Sequence, residues 1–232
     1  FQRIAPRNGK TDSDGAHPFF RLPIRWKKKR SLCPLAVYLY CMAVSTPATP
    51  TIKTEPRLIT GEELFAMGDI GPSELLDGRI VYMSPTGRPH ARIESQLDRT
   101  VGVFVAEHKL GETYVGEIGI YIRRNPDTIR AADFAFVSTA RLTELSDEGY
   151  LNAAPDLVVE IMSPDDRWSE IKKKLRDYFS IGVRLVWVID PDNRTVSAYR
   201  SLTDLQEYGD DQSLAAEDVF PGFSLPLKLL FE

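Results

Sequence analysis

A mixed α/β sheet flanked by helices is the fold class this sequence predicts, in one domain over residues 56–232. Three observations carry that expectation. Helical and strand periodicities alternate along the chain in the order helix, hairpin, helix, three strands, helix, two strands. Two of the strands, LVVEIM (157–162) and VRLVWVI (183–189), are apolar on both faces, as strands in the middle of a covered sheet are. The composition, 43% hydrophobic and 27% charged, is that of a globular chain and excludes collagenous, coiled-coil and wholly disordered classes.

Each element has a local cause. TGEELFAM opens a helix with Thr60 as N-cap and Glu63 three residues on, a capping box. ELLDGRIVYM (74–83) places Asp77-Gly78 between two short apolar runs, which predicts a hairpin. SPTGRP (84–89) is a loop. Over 90–109, Ile93, Leu97, Val101, Phe104 and Val105 recur at helical spacing, an amphipathic helix of about five turns. Thr113–Arg123 and Ala132–Val137 alternate as strands, and 141–155 is a polar connection. Ser169–Ile181 is a helix closed by Gly182. After the strand over 183–189, Asp190-Pro191-Asp192-Asn193 forms a turn, Thr195–Arg200 is a last strand, and FSLPLKLLFE is the tail.

The first residues differ from the rest. Residues 1–41 hold nine Lys/Arg and two Asp/Glu, whereas the following 191 hold 20 basic and 31 acidic residues, a balance of −11. Arg25–Arg30 (RWKKKR) precedes the apolar LCPLAVYLYCMAV, which reads literally as a secretory signal. Pro34 inside the apolar run and the long polar stretch before it favour another reading. In that reading Met42 is the natural start, and residues 1–55 are a disordered or mis-annotated leader. Cys33 and Cys41 both lie there, so the domain has no disulfide, thiolate nucleophile or cysteine-based zinc site. A reducing, cytoplasmic setting fits. No run of about 18 apolar residues occurs, so a conventional membrane-spanning helix is not expected.

The chemistry is signalled by charges in costly places. Glu160 interrupts LVVEIM, where an ionised carboxylate must be paired or bind a metal. Asp133 stands in the same position at the head of ADFAFV. Two acids on neighbouring central strands can converge on one divalent cation, and oxygen ligands without Cys point to Mg²⁺ or Mn²⁺. The competing structural reading makes Glu160 half of an ion pair with an arginine, or places it at a sheet edge. In EIKKKLRDYF, Ile171, Leu175, Tyr178 and Phe179 form an apolar face. Lys173 points away from that face, and Lys172 and Lys174 flank it, so the periodicity does not choose between those two.

This Asp…Glu…Lys set lies inside a longer resemblance. PDLVVEIMSPDDRWSEIKKKLRDYFSIGVRLVWVIDPDNRTVSAY, with ELLDGRIVYMSP, His90 and ADFAFV upstream, resembles the Uma-two family of the PD-(D/E)XK nuclease superfamily, over roughly residues 58–232. The resemblance implies a restriction-endonuclease-like core. It matches Asp133 to the family's first acid, Glu160 to its second, and Lys174, four residues before Tyr178, to a lysine moved onto the following helix. Glu74 matches the acid of ELxDG, either a further metal ligand or a residue that holds the ligands, and His90 matches the histidine that opens the long helix. Ala132 replaces the Pro usual before the first acid, and Met162 occupies the superfamily's usual lysine position.

The implied reaction is Mg²⁺- or Mn²⁺-assisted hydrolysis of DNA phosphodiesters by a homodimer. Asp133 and Glu160 would hold the metal, and Lys174 would orient the nucleophile or stabilise the transition state. Tyr178, Trp187 and Tyr199 are assigned to packing. The −11 balance is not the footprint of a strong non-specific DNA binder; Arg88, Arg92, Arg123, Arg124, Arg130 and Arg167 could still line a local basic cleft. The alternatives are a catalytically silent interaction module on the same fold and a phosphoesterase acting on RNA.

Overall fold

The computed structural model describes residues 57–146, 148–164 and 166–232. The leader expected over 1–55 lies outside the described residues. Helix α1 (Gly61–Ala66) starts at Thr60 with both arms of the capping box formed. Strands β1 (Ser73–Leu76) and β2 (Arg79–Tyr82) then form the expected hairpin. Asp77 and Gly78 both take positive φ (53° and 73°), as the tight turn demands.

The long helix runs from Arg88 to His108 as α2 (Arg88–Leu97), a π-helical turn (Asp98–Gly102) and α3 (Val103–His108). It buries Ile93, Leu97, Val101 and Val105. Strand β3 (Gly111–Arg123) pairs antiparallel with β4 (Thr128–Ser138) over nearly its whole length. A short helix α4 (Thr139–Leu142) follows, then β5 (Leu157–Ile161), α5 (Trp168–Ser180) and β6 (Leu185–Asp190). β5 and β6 are parallel with α5 as their crossover. β7 (Thr195–Tyr199) and β8 (Leu205–Gly209) continue antiparallel, while β9 (Ser213–Ala215), β10 (Ser224–Pro226) and α6 (Leu227–Phe231) close the chain.

Among the described residues the main sheet has eight strands in the order β2-β1-β4-β5-β6-β7-β8, with β3 on the other edge of β4. The sheet is mixed and mostly antiparallel, and both faces are covered. On β5, Leu157, Val159 and Ile161 pack with α2, α3 and the C-terminal segment, whereas Val158 turns to Ile171, Leu175 and Tyr178 of α5. β8, β9 and β10 are strands beyond those the sequence pattern announces. β4 also begins four residues earlier than its apolar run.

The sheet forks beside β4. On the edge away from β3, β4 meets β1 only at Ile129 and meets β5 only over Phe134–Phe136. Residues 130–133 have no strand partner there, so their polar backbone groups need other partners. The Ala131 amide donates to Glu74 Oε1 (3.2 Å), and the Ala131 carbonyl accepts from Lys174 Nζ (3.2 Å). Asp133 Oδ2 accepts the Ile161 amide (2.6 Å) in place of the next rung.

Candidate active site

The five residues singled out in the sequence meet at this fork. Continuing the β4–β5 register one residue past its last rung sets Asp133 opposite Glu160. Alternation along β5 directs Glu160 toward α5. There Lys174 Nζ donates to Glu160 Oε2 (2.8 Å) and the Tyr178 hydroxyl donates to Oε1 (2.5 Å). Lys174 and Tyr178 are one turn apart on α5, so both reach the same carboxylate. Lys173 points outward and pairs with Glu170, as the helical wheel requires.

Glu160 is 4% exposed, and burial pushes its carboxyl up to about 7 against the pull of Lys174. Burial would likewise push Lys174 down, but Glu160 and then Glu74 hold its ammonium above the ordinary amine range. Burial and the adjacent Glu160 carboxylate raise Tyr178 well above a normal phenol, so it remains a donor.

Glu74 stands behind the lysine. Its Oε1 lies 3.4 Å from Lys174 Nζ, and its Oε2 accepts from Arg130 Nη1 (2.8 Å). Arg130 Nε reaches Asp177 Oδ2 (2.7 Å), so one buried guanidinium ties β1 to α5 through β4. Glu74 does not border the cleft described next.

The cleft measures about 540 Å³, and its lining includes His90, Glu117, Asp133, Glu160, Ser163 and Lys174. His90 sits in the first turn of α2 with Nε2 3.1 Å from Asp133 Oδ1 and Nδ1 3.4 Å from Ser163 Oγ. The buried Nε2 has no aligned hydrogen-bond partner, so its contact with Asp133 is one of charge and proximity. Burial pulls the imidazole down, but Asp133, with Glu94 and Glu117 beyond it, more than reverses this and leaves it raised. Glu117 lies on a β-bulge of β3 with φ 57°, and its carboxylate accepts from the Thr86 hydroxyl (3.1 Å).

Two of these features are absent from the sequence reading. Tyr178 was legible as a packing residue, and its hydroxyl contact follows from the four-residue spacing to Lys174. Glu117 left no signal, because a bulge shows in the register and not in the alternation. The arginine expectation changes too. Arg130 is buried between Glu74 and Asp177. Arg123 and Arg124 border a separate cavity and pair with Asp77 and with Glu62 and Asp127. None of the six arginines lines the cleft, whose walls carry more acid than base.

The donor set along the cleft suits a hard divalent cation: the carboxylates of Asp133 and Glu160 and no thiolate. Among the described residues, however, no three His, Cys, Asp or Glu side chains already surround one point. Glu160 is turned to Lys174 and Tyr178, so it must rotate from them, or share them, to reach a cation.

The mixed, mostly antiparallel sheet flanked by helices is a restriction-endonuclease-like fold. Residues 62–228 match the model of the Uma2 family, described as "Putative restriction endonuclease", and the chain belongs to that family. A similar solved structure is that of "a putative nuclease belonging to DUF820" from Anabaena variabilis ATCC 29413. It is 23% identical, with a TM-score of 0.63, over 75% of this chain and 97% of that one, a likeness of fold. No curated protein matches. Among the described residues no helix is long and apolar enough to cross a membrane.

Proposed function

We propose that this chain is a divalent-metal-dependent endonuclease that hydrolyses DNA phosphodiester bonds in the cleft at the fork. The observation that carries the proposal is that Asp133, Glu160 and Lys174 line one cleft, with Lys174 bonded to the second acid. Such an arrangement is expensive to bury unless a cation or a reaction uses it. Asp133 and Glu160 would hold Mg²⁺ or Mn²⁺, which when bound lowers the pKa of water and offsets phosphate charge.

The chain's own groups do the rest. The Ile161 amide fixes the Asp133 carboxylate in place. The Tyr178 hydroxyl holds one oxygen of Glu160 and leaves Lys174 to govern the other. The Lys174 ammonium, aimed by the Ala131 carbonyl and by Glu74, stabilises the charge that develops as water attacks phosphorus. The water oxygen forms one P–O bond as the bond to the departing oxygen breaks, and the proton that water gives up is balanced by one gained at the departing oxygen. Of the two roles open to Glu74, holding Lys174 and Arg130 in place fits its position better than direct ligation. A homodimer would present two such clefts to two strands.

The test is cleavage of supercoiled plasmid by the purified protein with Mg²⁺ or Mn²⁺, beside Asp133→Ala, Glu160→Ala and Lys174→Ala. Metal-dependent nicking or linearisation that each substitution reduces by at least about a thousandfold is the expected result. An intact plasmid, or equal cutting by the folded variants, overturns the DNA-nuclease reading. Cleavage of structured RNA in the same assay would move the reaction to that substrate.

A further inference from the structure

The walls of the cleft carry more acid than base, so the phosphates of a strand lying across it meet their counter-charges elsewhere. The outer face of α5 offers them. Trp168, Lys172 and Arg176 stand four residues apart, each turned about 40° from the last and about 6 Å further along the axis. They form one exposed stripe about 12 Å long, on the flank of the apolar face opposite Lys174. The acids of the helix are already taken, Glu170 by Lys173 and Asp177 by Arg130. Among the described residues Lys172 and Arg176 enter no ion pair, and Trp168, 43% exposed, makes no ring contact. At one end the indole follows the cleft-lining Asp166 by two residues, a reach of at most about 7 Å. The turn before it is fixed: the Ser163 amide donates to Asp166 Oδ2 (2.8 Å) and the Asp166 amide to the Ser163 carbonyl (2.9 Å). At the other end Arg176 borders a cavity of about 290 Å³ with Lys173 and Arg123, where Asp77 and Asp177 are engaged by Arg123 and Arg130.

We infer that the outer face of α5 holds a single strand of DNA beside the cleft, its phosphates following Lys172 and Arg176 and an unpaired base stacking on Trp168. The inference rests on the nuclease function proposed above and adds the state of the substrate next to the cleaved bond. An aromatic face at the head of a line of cations suits a single strand, whose bases are free to stack. A duplex hides its base faces, and cations set in one line meet one backbone and not two.

The experiment is fluorescence anisotropy of a dye-labelled oligothymidylate with the full-length protein in EDTA, over a series of salt concentrations. Loss of both cations in the double variant Lys172→Ala, Arg176→Ala should weaken binding at least about tenfold. It should also lower the slope of log affinity against log salt by about 1.4, two phosphate contacts at about 0.7 each. Trp168→Ala should weaken binding at least about fivefold and leave that slope unchanged, while Trp168→Tyr, which retains a ring, keeps most of the affinity. Affinity for a duplex of the same length should not respond to Trp168→Ala, and an equal loss there overturns base stacking. An oligouridylate bound more tightly through the same residues overturns the assignment to DNA. Wild-type protein that cuts plasmid with metal but does not bind the strand, or binds it no better than the variants, overturns the stripe and leaves the nuclease function standing. Wild-type protein that neither binds the strand nor cuts overturns both.

Discussion

Glu160 shows how one buried side chain can be both a structural cost and a chemical resource. Its two oxygens are met by a phenol and an ammonium, each delivered by α5. Tyr178→Phe removes one donor and nothing else from a fully buried position. The carboxylate oxygen left without its partner should cost about 1–3 kcal/mol, measurable by urea unfolding. Cleavage should fall while the circular dichroism spectrum of the native protein is unchanged. The costly acid at position 160 was legible in the sequence because the residues around it are uniformly apolar. The choice of Lys174 over Lys172 was not, since a helical wheel fixes an angle and not the height of the neighbouring strand. Glu74 was legible only as an acid beside a turn. Its engagement with Arg130 joins residues 56 positions apart and has no trace in local periodicity.

At the scale of elements, α1 is held to the sheet by polar contacts from its first two residues. The Gly61 amide donates to the buried Asp127 (2.8 Å), and Glu62 pairs with Arg124, whose guanidinium also lies over the Tyr121 ring. The Arg124 hydrogen bond is the main reason the Glu62 carboxyl is lowered to about 2. A carboxyl depressed in the folded state adds stability above its unfolded pKa of about 4.5 and loses that stability as pH falls toward 2. Because the Glu62 side chain is 65% exposed, the contribution should stay below about 1 kcal/mol. Glu62→Gln should therefore lower stability at pH 7 by less than about 1 kcal/mol, flatten the profile between pH 4.5 and 2 and converge with the wild type near pH 2, as read by unfolding at a series of pH values. The capping box, the hairpin turn and the Gly182 stop were all written locally, so these elements were predictable. β8, β9 and β10 are short and half polar, and β4 begins within charged residues, so alternation alone could not reach them. The π-helical turn at Asp98–Gly102 keeps an apolar stripe that reads as ordinary helix.

For the whole molecule, the sequence disclosed the layers, because apolar runs and amphipathic faces record which surfaces are covered. It did not disclose the fork, which exists only where three strands fail to stay in step. The C-terminal segment belongs to the main core, although its strands are too short to announce themselves. Leu225, Leu227 and Leu230 are at most 1% exposed. At about 1.5–3 kcal/mol for each buried leucine, removal of residues 224–232 should cost about 5–9 kcal/mol, comparable with the total stability of a domain. The truncated protein should lack a cooperative thermal transition, which calorimetry will show. The fork has a further use as a reporter. The Ala131 amide belongs to a strand but is bonded to a side chain, so its isotope exchange with solvent follows the Glu74 carboxylate and not the ladder. In Glu74→Ala that single amide should exchange at least about tenfold faster while those of Phe134–Phe136 keep their protection. Nuclear magnetic resonance can thus read the order of the reaction centre in solution from one main-chain proton, with no substrate, metal or label added.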